Sequence, residues 1–495
     1  MGAPTVAEAL ARFAAETSFD RLPTAVISST KQRVLDTLGI CLAASAQHLA
    51  DGVADLVGGW GGREEATPVG RPGRYPAPQV ALINGTLAHS LDFDDTHLPS
   101  VLHPSASNVP AALAMAQAVG RSGQDATTAA AIGIEVTVRV GMGGYLPDAG
   151  NVWFERGWHA TSICGTLGAA AAAGWLLGLD ANQIADALGI AASMASGVIE
   201  ANRAGGTVKR LHCGWAAHSG LMAALLARHG YTGPRTVFEG RFGVFQAFLG
   251  GPFDADAITA GLGERWELPG IFFKPYPANH YTHAGIDAAL AIRRKHQVDP
   301  DQIARIELGA PGPVLRTIGE PREEKLHPRS GYHAQFSGPF TVATALLGGG
   351  GLGVHFDDFT DARARDPRTL ALAARVETFA DEESGRIFPN QFPAVLRVTL
   401  QNGTTYEERV LHNRGSPQNP LSEAELRRKF ALNAGRLLPP DQVEHLADAA
   451  LALDRAPRVD ELLNMCRVAG RSDAGNGHMG VRSAGQTAGT RGAEG

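Results

Sequence analysis

Cysteine is scarce in this chain of 495 residues: Cys41, Cys164, Cys213 and Cys466 stand far apart, with no C-x-x-C pair and no neighbouring Cys/His cluster. That spacing speaks against a disulfide scaffold and against a cysteine-held zinc or iron–sulfur centre, and it fits a reduced, cytoplasmic protein. Aromatic residues make up only 6% of the chain. Positive charge is not in excess either, since 44 Lys and Arg face 50 Asp and Glu for a net charge of −6, which argues against a nucleic-acid partner. At Met1-Gly2-Ala3-Pro4-Thr5-Val6 no basic segment leads into an apolar run, and Val6 stands where a myristoylation signal has Ser or Thr. Neither an export signal nor a lipid anchor is expected. The longest uncharged apolar stretch, Ile163 to Leu179, is mostly Ala and Gly and stops at Asp180, so it reads as a buried helix and no membrane partner is expected. H-E-x-x-H and G-x-S-x-G are both missing, which sets aside the zincin and α/β-hydrolase readings. Gly348 to Gly353 contains a formal G-x-G-x-x-G, but an Ala/Leu-rich helical pattern precedes it and none follows, so it is not read as a dinucleotide site.

What the chain has in plenty is small residues. Its 60 glycines are about one residue in eight, and with the Ala-rich runs they point to closely packed helices. Residues 5 to about 270 read almost entirely as helices: Val34, Leu35, Leu38, Cys41 and Leu42 form one stripe of period 3.6, and further helical runs follow at 109–119, 126–142, 161–178 and 182–196. From about 270 to 412 the signals are mixed. Ile303, Ile306 and Leu308 mark a strand, and Val395 to Leu400 and Thr405 to Val410 flank Asn402-Gly403, which predicts a hairpin with a two-residue type I′ turn. Helical signals return at the capping box Ser422-Glu423-Ala424-Glu425 and run on through 440–465. The fold class is mainly α, with a smaller α+β unit inserted into a split helical body. Residues 467–495 carry almost no large apolar side chains and are expected to be disordered.

Four polar clusters carry the candidate chemistry. The densest runs from His89 through Asp92, Asp94, Asp95, Thr96 and His97 to His103; a helix over 77–93 would project His89, Asp92 and Thr96 to one side, against a plain reading as solvated loop acids. His159 opens the Ala-rich helix, where the positive end of the helix dipole favours a neutral imidazole suited to accept a proton; the alternative is a capping or core histidine. Lys209 and His212 share a face of the next helix and make a carboxylate pocket, unless Lys209 only snorkels from a surface helix. Lys274, His280 and His283 flank Pro275-Tyr276-Pro277 at the boundary between the helical and mixed parts, a position favoured for clefts, although Pro-Tyr-Pro also reads as a rigid connection.

Together these blocks resemble the MmgE/PrpD family, which includes 2-methylcitrate dehydratase, cis-aconitate decarboxylase and iminodisuccinate epimerase. The resemblance rests on Leu35-Asp36-Thr37-Leu38-Gly39, Asn84-Gly85, Asp92 to Thr96, His103-Pro104-Ser105, Gly157 to Thr161, Lys209 with Leu211 to Gly214, Lys274 to Pro277 with His283, and Gly415 to Ser422 with Lys429-Phe430. It implies a helical domain of residues 1–269 and 413–466, an α+β lid of 270–412, a homodimer, and cofactor-independent, metal-independent chemistry on a small carboxylate held between body and lid. Its motifs put site positions at Asp92, Thr96, His103, His159, Lys209, His212, Lys274 and His283; with His280 added from the boundary cluster, His103, His159, Asp92, Thr96 and Lys209 are expected in catalysis, and His212, Lys274, His280 and His283 in substrate binding. The dehydratases resemble D-F-N-D-T-W and W-G-H-P-S where this chain has Asp94, His97 and Leu102, and the decarboxylases carry a lid histidine where it has Asn279, next to His280. Dehydration of a 2-methylcitrate-like acid is the first expectation; decarboxylation of cis-aconitate, epimerisation of an iminodisuccinate-like acid and non-catalytic carboxylate binding are the alternatives.

Overall fold

A computed structural model describes residues 4–146, 149–201 and 206–468; apart from Arg467 and Val468, the tail expected to be disordered lies outside the described residues. The chain is mainly α, with a four-stranded sheet and a two-stranded one of Tyr145–Leu146 and Gly150–Asn151 among the described residues. Helix Thr24–Ala46 is buried on every side from Arg33 to Ser45, so the stripe expected of it is part of a wholly enclosed element. A late helix, Glu423–Ala434, returns to cover it: a Cβ on Gly39 would lie 2.9 Å from the Phe430 ring, and Lys429 reaches Asp36 at 2.7 Å.

The glycines do what the composition implied. Helices Ala77–Ala88, Ala160–Leu176 and Val208–Arg228 pack so closely that a Cβ on Gly214 would meet the Leu82 carbonyl at 2.2 Å, and one on Gly220 would meet Ala169 at 2.5 Å. The uncharged stretch from Ile163 is the interior of the second of these helices, buried along nearly its whole length. Among the described residues no helix is long and apolar enough to cross a membrane. All four cysteines are free and buried.

The larger apolar core gathers Val6 to Ile271 together with Phe430 to Cys466, and a second core gathers Tyr276 to Val398. The second core lies on a four-stranded sheet in the order Val376–Ala380, Ile303–Ala310, Ala394–Leu400, Thr405–Val410, parallel in the first pair and antiparallel in the others. Helices His283–His296 and Gly338–Leu347 pack on it and on each other. The hairpin forms as read, but its loop is longer: Leu400 N–H donates to Thr404 O at 2.8 Å, and only Gly403 takes a positive φ, 85°. A type I′ turn needs two such residues, so Gln401, Asn402 and Gly403 make a three-residue loop instead. Between the two cores, Leu98, Phe272 and Phe392 form a small apolar cluster, and Thr96 and Phe272 exchange backbone hydrogen bonds of 3.0 and 2.8 Å. That seam positions the site.

Candidate active site

Helix Ala77–Ala88 ends before the first polar cluster begins, with His89 as its C-cap. The helical projection expected of His89, Asp92 and Thr96 is therefore replaced by a loop, and Asp92 takes φ 51°, a left-handed conformation that costs a non-glycine residue energy. The loop is held from several directions. His97 and Leu102 pair through their backbones at 2.9 and 3.4 Å, and His97 Nδ1 lies 2.7 Å from Ser100 Oγ. Asp95 is tied to Arg33 at 2.9 Å and accepts from the Ser105 backbone at 3.2 Å. These fixed points turn Asp92, Thr96 and His103 into a cavity of about 450 Å³ between the helical body and the second core.

In that cavity the second core contributes Lys274, Asn279, His280 and Tyr281, and the helices contribute His159 and Lys209. Lys274 donates to Asp92 Oδ1 at 2.6 Å and to the Asp92 carbonyl at 3.1 Å, while Asp92 Oδ2 has no partner among the described residues. Lys209 lies at the start of helix Val208–Arg228, 5.7 Å above the Phe336 ring, with no hydrogen-bond acceptor for its ammonium among the described residues. Burial opposes the charges of both residues. The ammonium groups of Lys209 and Lys274 nevertheless hold Asp92 well below the usual carboxylate range, and Asp92 in turn pushes Lys209 above its ordinary value. Two cations thus share one carboxylate, and the cavity keeps a surplus positive charge.

The imidazoles are neutral and oriented. His103 Nδ1 donates to the Asp95 carbonyl at 2.5 Å with Thr96 Oγ1 3.3 Å away, which fixes the proton on Nδ1 and leaves the lone pair on Nε2. Its backbone N–H donates to Thr161 at 3.2 Å, tying the loop to the helix that His159 caps. Burial lowers His103 to about 4, with Lys274 adding to the shift against the opposing pull of Asp94. His159 Nδ1 and His212 Nδ1 are 2.9 Å apart and share one proton; burial and the neighbouring His89 hold His159 well below its usual value and His212 at about 4. Asn413 donates to His280 Nε2 at 2.7 Å, which leaves the proton on Nδ1, buried and without an acceptor among the described residues. Burial and the adjacent His283 keep His280 well below its ordinary value.

Two of the residues selected from sequence lie behind the wall rather than in it. His212 backs His159, and His283, fully buried, donates through Nε2 to the Ala278 carbonyl at 3.1 Å while its ring packs on Tyr276 and His280. Both were expected to bind substrate; neither lines the cavity, and each packs behind the imidazole in front of it. Potential metal-ligand atoms of His89, Asp94 and Cys213 lie within 4.8 Å of one another. His89 Nδ1 and Asp94 Oδ2 are bonded to each other at 2.6 Å, and burial pushes the Cys213 thiol far up, so the trio is a hydrogen-bonded pair backed by a protonated thiol. A larger, more open groove of about 860 Å³ lies beyond Tyr276, lined by Asp287, Arg293 and Arg414, but none of the selected imidazoles or lysines reaches it.

Comparison with known proteins was decided along nearly the whole chain. The model of the MmgE/PrpD N-terminal domain matches residues 8–256, and that of the MmgE/PrpD C-terminal domain matches residues 276–455. The chain belongs to the MmgE/PrpD family. Among curated MmgE/PrpD relatives, cis-aconitate decarboxylase of Homo sapiens is 33% identical over 439 residues, covering 85% of this chain and 86% of that protein. The Mus musculus protein of the same name is 32% identical over 443 residues, covering 86% of each. Cis-aconitate decarboxylase of Aspergillus terreus strain NIH 2624 is 26% identical over 475 residues, covering 92% of this chain and 94% of the relative.

The MmgE/PrpD site also contains residues that sequence reasoning did not select. Arg316 stands at the mouth, exposed and without a partner among the described residues, and Phe154, Phe336 and Phe392 wall the cavity. Arg33, which fixes Asp95, is fully enclosed. A buried arginine was the one signal available, since an arginine in an apolar helical stripe needs a partner; nothing in local spacing marks the aromatic wall.

Proposed function

We propose that this chain is a lyase acting on a tricarboxylate, and that its reaction is the decarboxylation of cis-aconitate. The observation that carries the reading is the pair of buried ammonium groups, Lys209 and Lys274, sharing the single carboxylate of Asp92 beside the His103 lone pair. A cavity with surplus positive charge and neutral imidazoles suits a trianion on arrival, because the first two carboxylates find cations and the third raises the basicity of whatever imidazole it meets. The names of the relatives favour loss of carbon dioxide over the dehydration that ranked first from sequence.

The chemistry follows from the substrate. Breaking the bond to the carboxylate on the saturated arm releases carbon dioxide and leaves its electron pair in an allyl system spread over the remaining carboxylates. Loss from the vinyl arm would strand the pair in an sp² orbital. Lys209, and Lys274 in part, stabilise the charge that develops on the retained carboxylates. His103, neutral in the free protein, takes up a proton at Nε2 once the trianion is bound and delivers it to the former vinyl carbon, which moves the double bond to the end of the chain. Asp95 and Thr96 hold the ring through Nδ1, and the unpaired Nδ1–H of His280 offers a donor to a substrate oxygen.

Incubation with cis-aconitate in deuterated water, followed by proton NMR, is the test. The expected product is itaconate carrying one deuterium on its saturated methylene. Turnover of 2-methylcitrate to the alkene with cis-aconitate left untouched would replace this reading by dehydration.

A further inference from the structure

His89 has no part in the reaction as just described, yet it lies at the centre of its imidazoles. Its ring centroid is 5.5 Å from that of His103 and 5.4 Å from that of His159, which is itself 5.0 Å from His212. Its Nδ1 is 2.6 Å from Asp94 Oδ2, and both side chains are enclosed. The other buried acids here each have their own cation: Asp36 has Lys429, Asp92 has Lys274 and Asp95 has Arg33. Asp94 Oδ1 has no partner among the described residues, and the basic group hydrogen-bonded to its other oxygen is His89, with His103 and Lys274 acting on it from farther off. A buried carboxylate without a counter-charge costs far more than an imidazolium with one unpaired N–H, so the pair is best satisfied as an ion pair.

We propose that His89 is a positioning residue that acts as an imidazolium locked to Asp94, and that its fixed charge keeps His103, His159 and His212 neutral until a polyanion arrives. The inference rests on the proposed function, which needs those imidazoles ready to accept a proton. The groups facing His89 are Asp94 and His103 on its own loop, His159 at the cap of helix Ala160–Leu176, Lys209, His212 and Cys213 on helix Val208–Arg228, and Lys274 from the second core. Lys209 and Lys274 act on the imidazoles in the same direction as His89, and Asp94 acts against it. The charge of His89 is an influence on all three neighbours, whereas Asp94 bears on His103.

Removing the cation alone therefore has a definite sign. His89→Gln leaves the Asp94 charge facing His103 and takes away the repulsion felt by all three histidines, so each binds a proton more readily. The alkaline limb of kcat/KM, where the proton that His103 has to deliver is lost, is expected to move up by about one pH unit, a roughly tenfold gain on that limb, with a change of less than about threefold on the plateau. The double variant His89→Gln/Asp94→Asn removes both charges and is expected to return the limb most of the way to its original position. A residue needed only for packing would not be rescued by a second deletion. A limb that stays in place in the single variant, or stays displaced in the double, overturns the proposal.

Histidine titration by NMR, with labelled Cε1 positions and no substrate, keeps the test independent of the reaction. In the unmodified protein the signal of His89 is expected to report protons on both ring nitrogens at neutral pH; a singly protonated His89 overturns the proposal whether or not a variant folds. If cis-aconitate is not turned over but this titration is as expected, the proposed function fails and the charge-setting role stands.

Discussion

His103 carries the largest expected loss at the scale of single residues. Its Nε2 lone pair is enforced by bonds on the far side of the ring, from the Asp95 carbonyl and Thr96, on a residue that lines the cavity. His103→Gln keeps an amide of similar reach but cannot transfer a proton, so steady-state kinetics are expected to show kcat lower by about 10²–10⁴-fold with KM changed little. Lys209→Met is different in kind. It removes a charge that meets substrate in ground and transition state alike, and it leaves Asp92 with Lys274 alone, so KM is expected to rise and kcat/KM to fall by about 10²-fold, with partial recovery in Lys209→Arg. A kcat defect in Lys209→Met without any KM change would assign the lysine to the chemical step alone.

Individual residues of the site were readable because titratable groups cluster in sequence before they cluster in space. Asp92, Thr96, His103, His159, Lys209, Lys274 and His280 all reach the cavity. Depth was not readable: His212 and His283 have the same chemistry as their neighbours, and only the packed structure shows that they stand one layer back. Arg33 and Asp95 are 62 positions apart, and Asp92 and Lys274 are 182 apart, so no local spacing could pair them.

At the scale of elements, glycine sets the distance between helices and through it the position of the lysine. The Gly214 Cα lies opposite Gly85 on helix Ala77–Ala88, and a side chain at position 214 would also collide with Thr86 Oγ1 at 2.3 Å. Gly214→Ala is expected to cost about 1–3 kcal/mol or more by overpacking, seen as a lower midpoint in denaturant, and to displace Lys209 and His212, which sit on the same helix, so that activity falls even where the protein is folded. Gly52→Ala is the control, because nothing lies within 4 Å of a Cβ there. Equal effects in the two variants would mean that helix separation is not what glycine provides.

Helix boundaries were legible where a stop or cap was coded locally: Ser422 caps the helix that begins at Glu423 through Glu425, as its capping box implied. They failed where tertiary bonds decide. The helix read through residue 93 stops at Ala88, because Asp92 is drawn into a left-handed turn by Lys274 and because the backbone of Thr96 joins Phe272. The hairpin loop failed more mildly, since Asn-Gly favours tight turns of two lengths and the register of the strands chooses between them.

For the whole molecule, a site built of neutral buried histidines makes the fold sensitive to acid. His103 and His212 are held at about 4 and His283 at about 3, all by burial first, against about 6.5 in an unfolded chain. Between those values the unfolded state binds more protons than the folded one, so stability is full above about pH 6.5 and is lost as the pH falls through that window. Asp287, raised by burial to about 6, works in the opposite direction, as do Asp36, Asp95 and Glu135, but burial lowers His97, His159, His218, His280 and His355 as well. Calorimetric melting is expected to show a midpoint that drops between about pH 7 and about pH 5; a midpoint that rises toward pH 5 would mean that the carboxylates govern the balance.

The same linkage provides the most direct test of a cationic pocket whose neutral imidazole is charged by its ligand. Tricarballylate, the saturated analogue of cis-aconitate, cannot react through an allyl system but brings the same three carboxylates. Its binding should be measured by titration calorimetry near pH 6.5 in two buffers of different ionisation enthalpy, which yields the number of protons exchanged. Net uptake of about one proton, abolished in His103→Gln, is the expected result. Binding with no proton uptake, or uptake that survives in His103→Gln, would contradict the role given to His103.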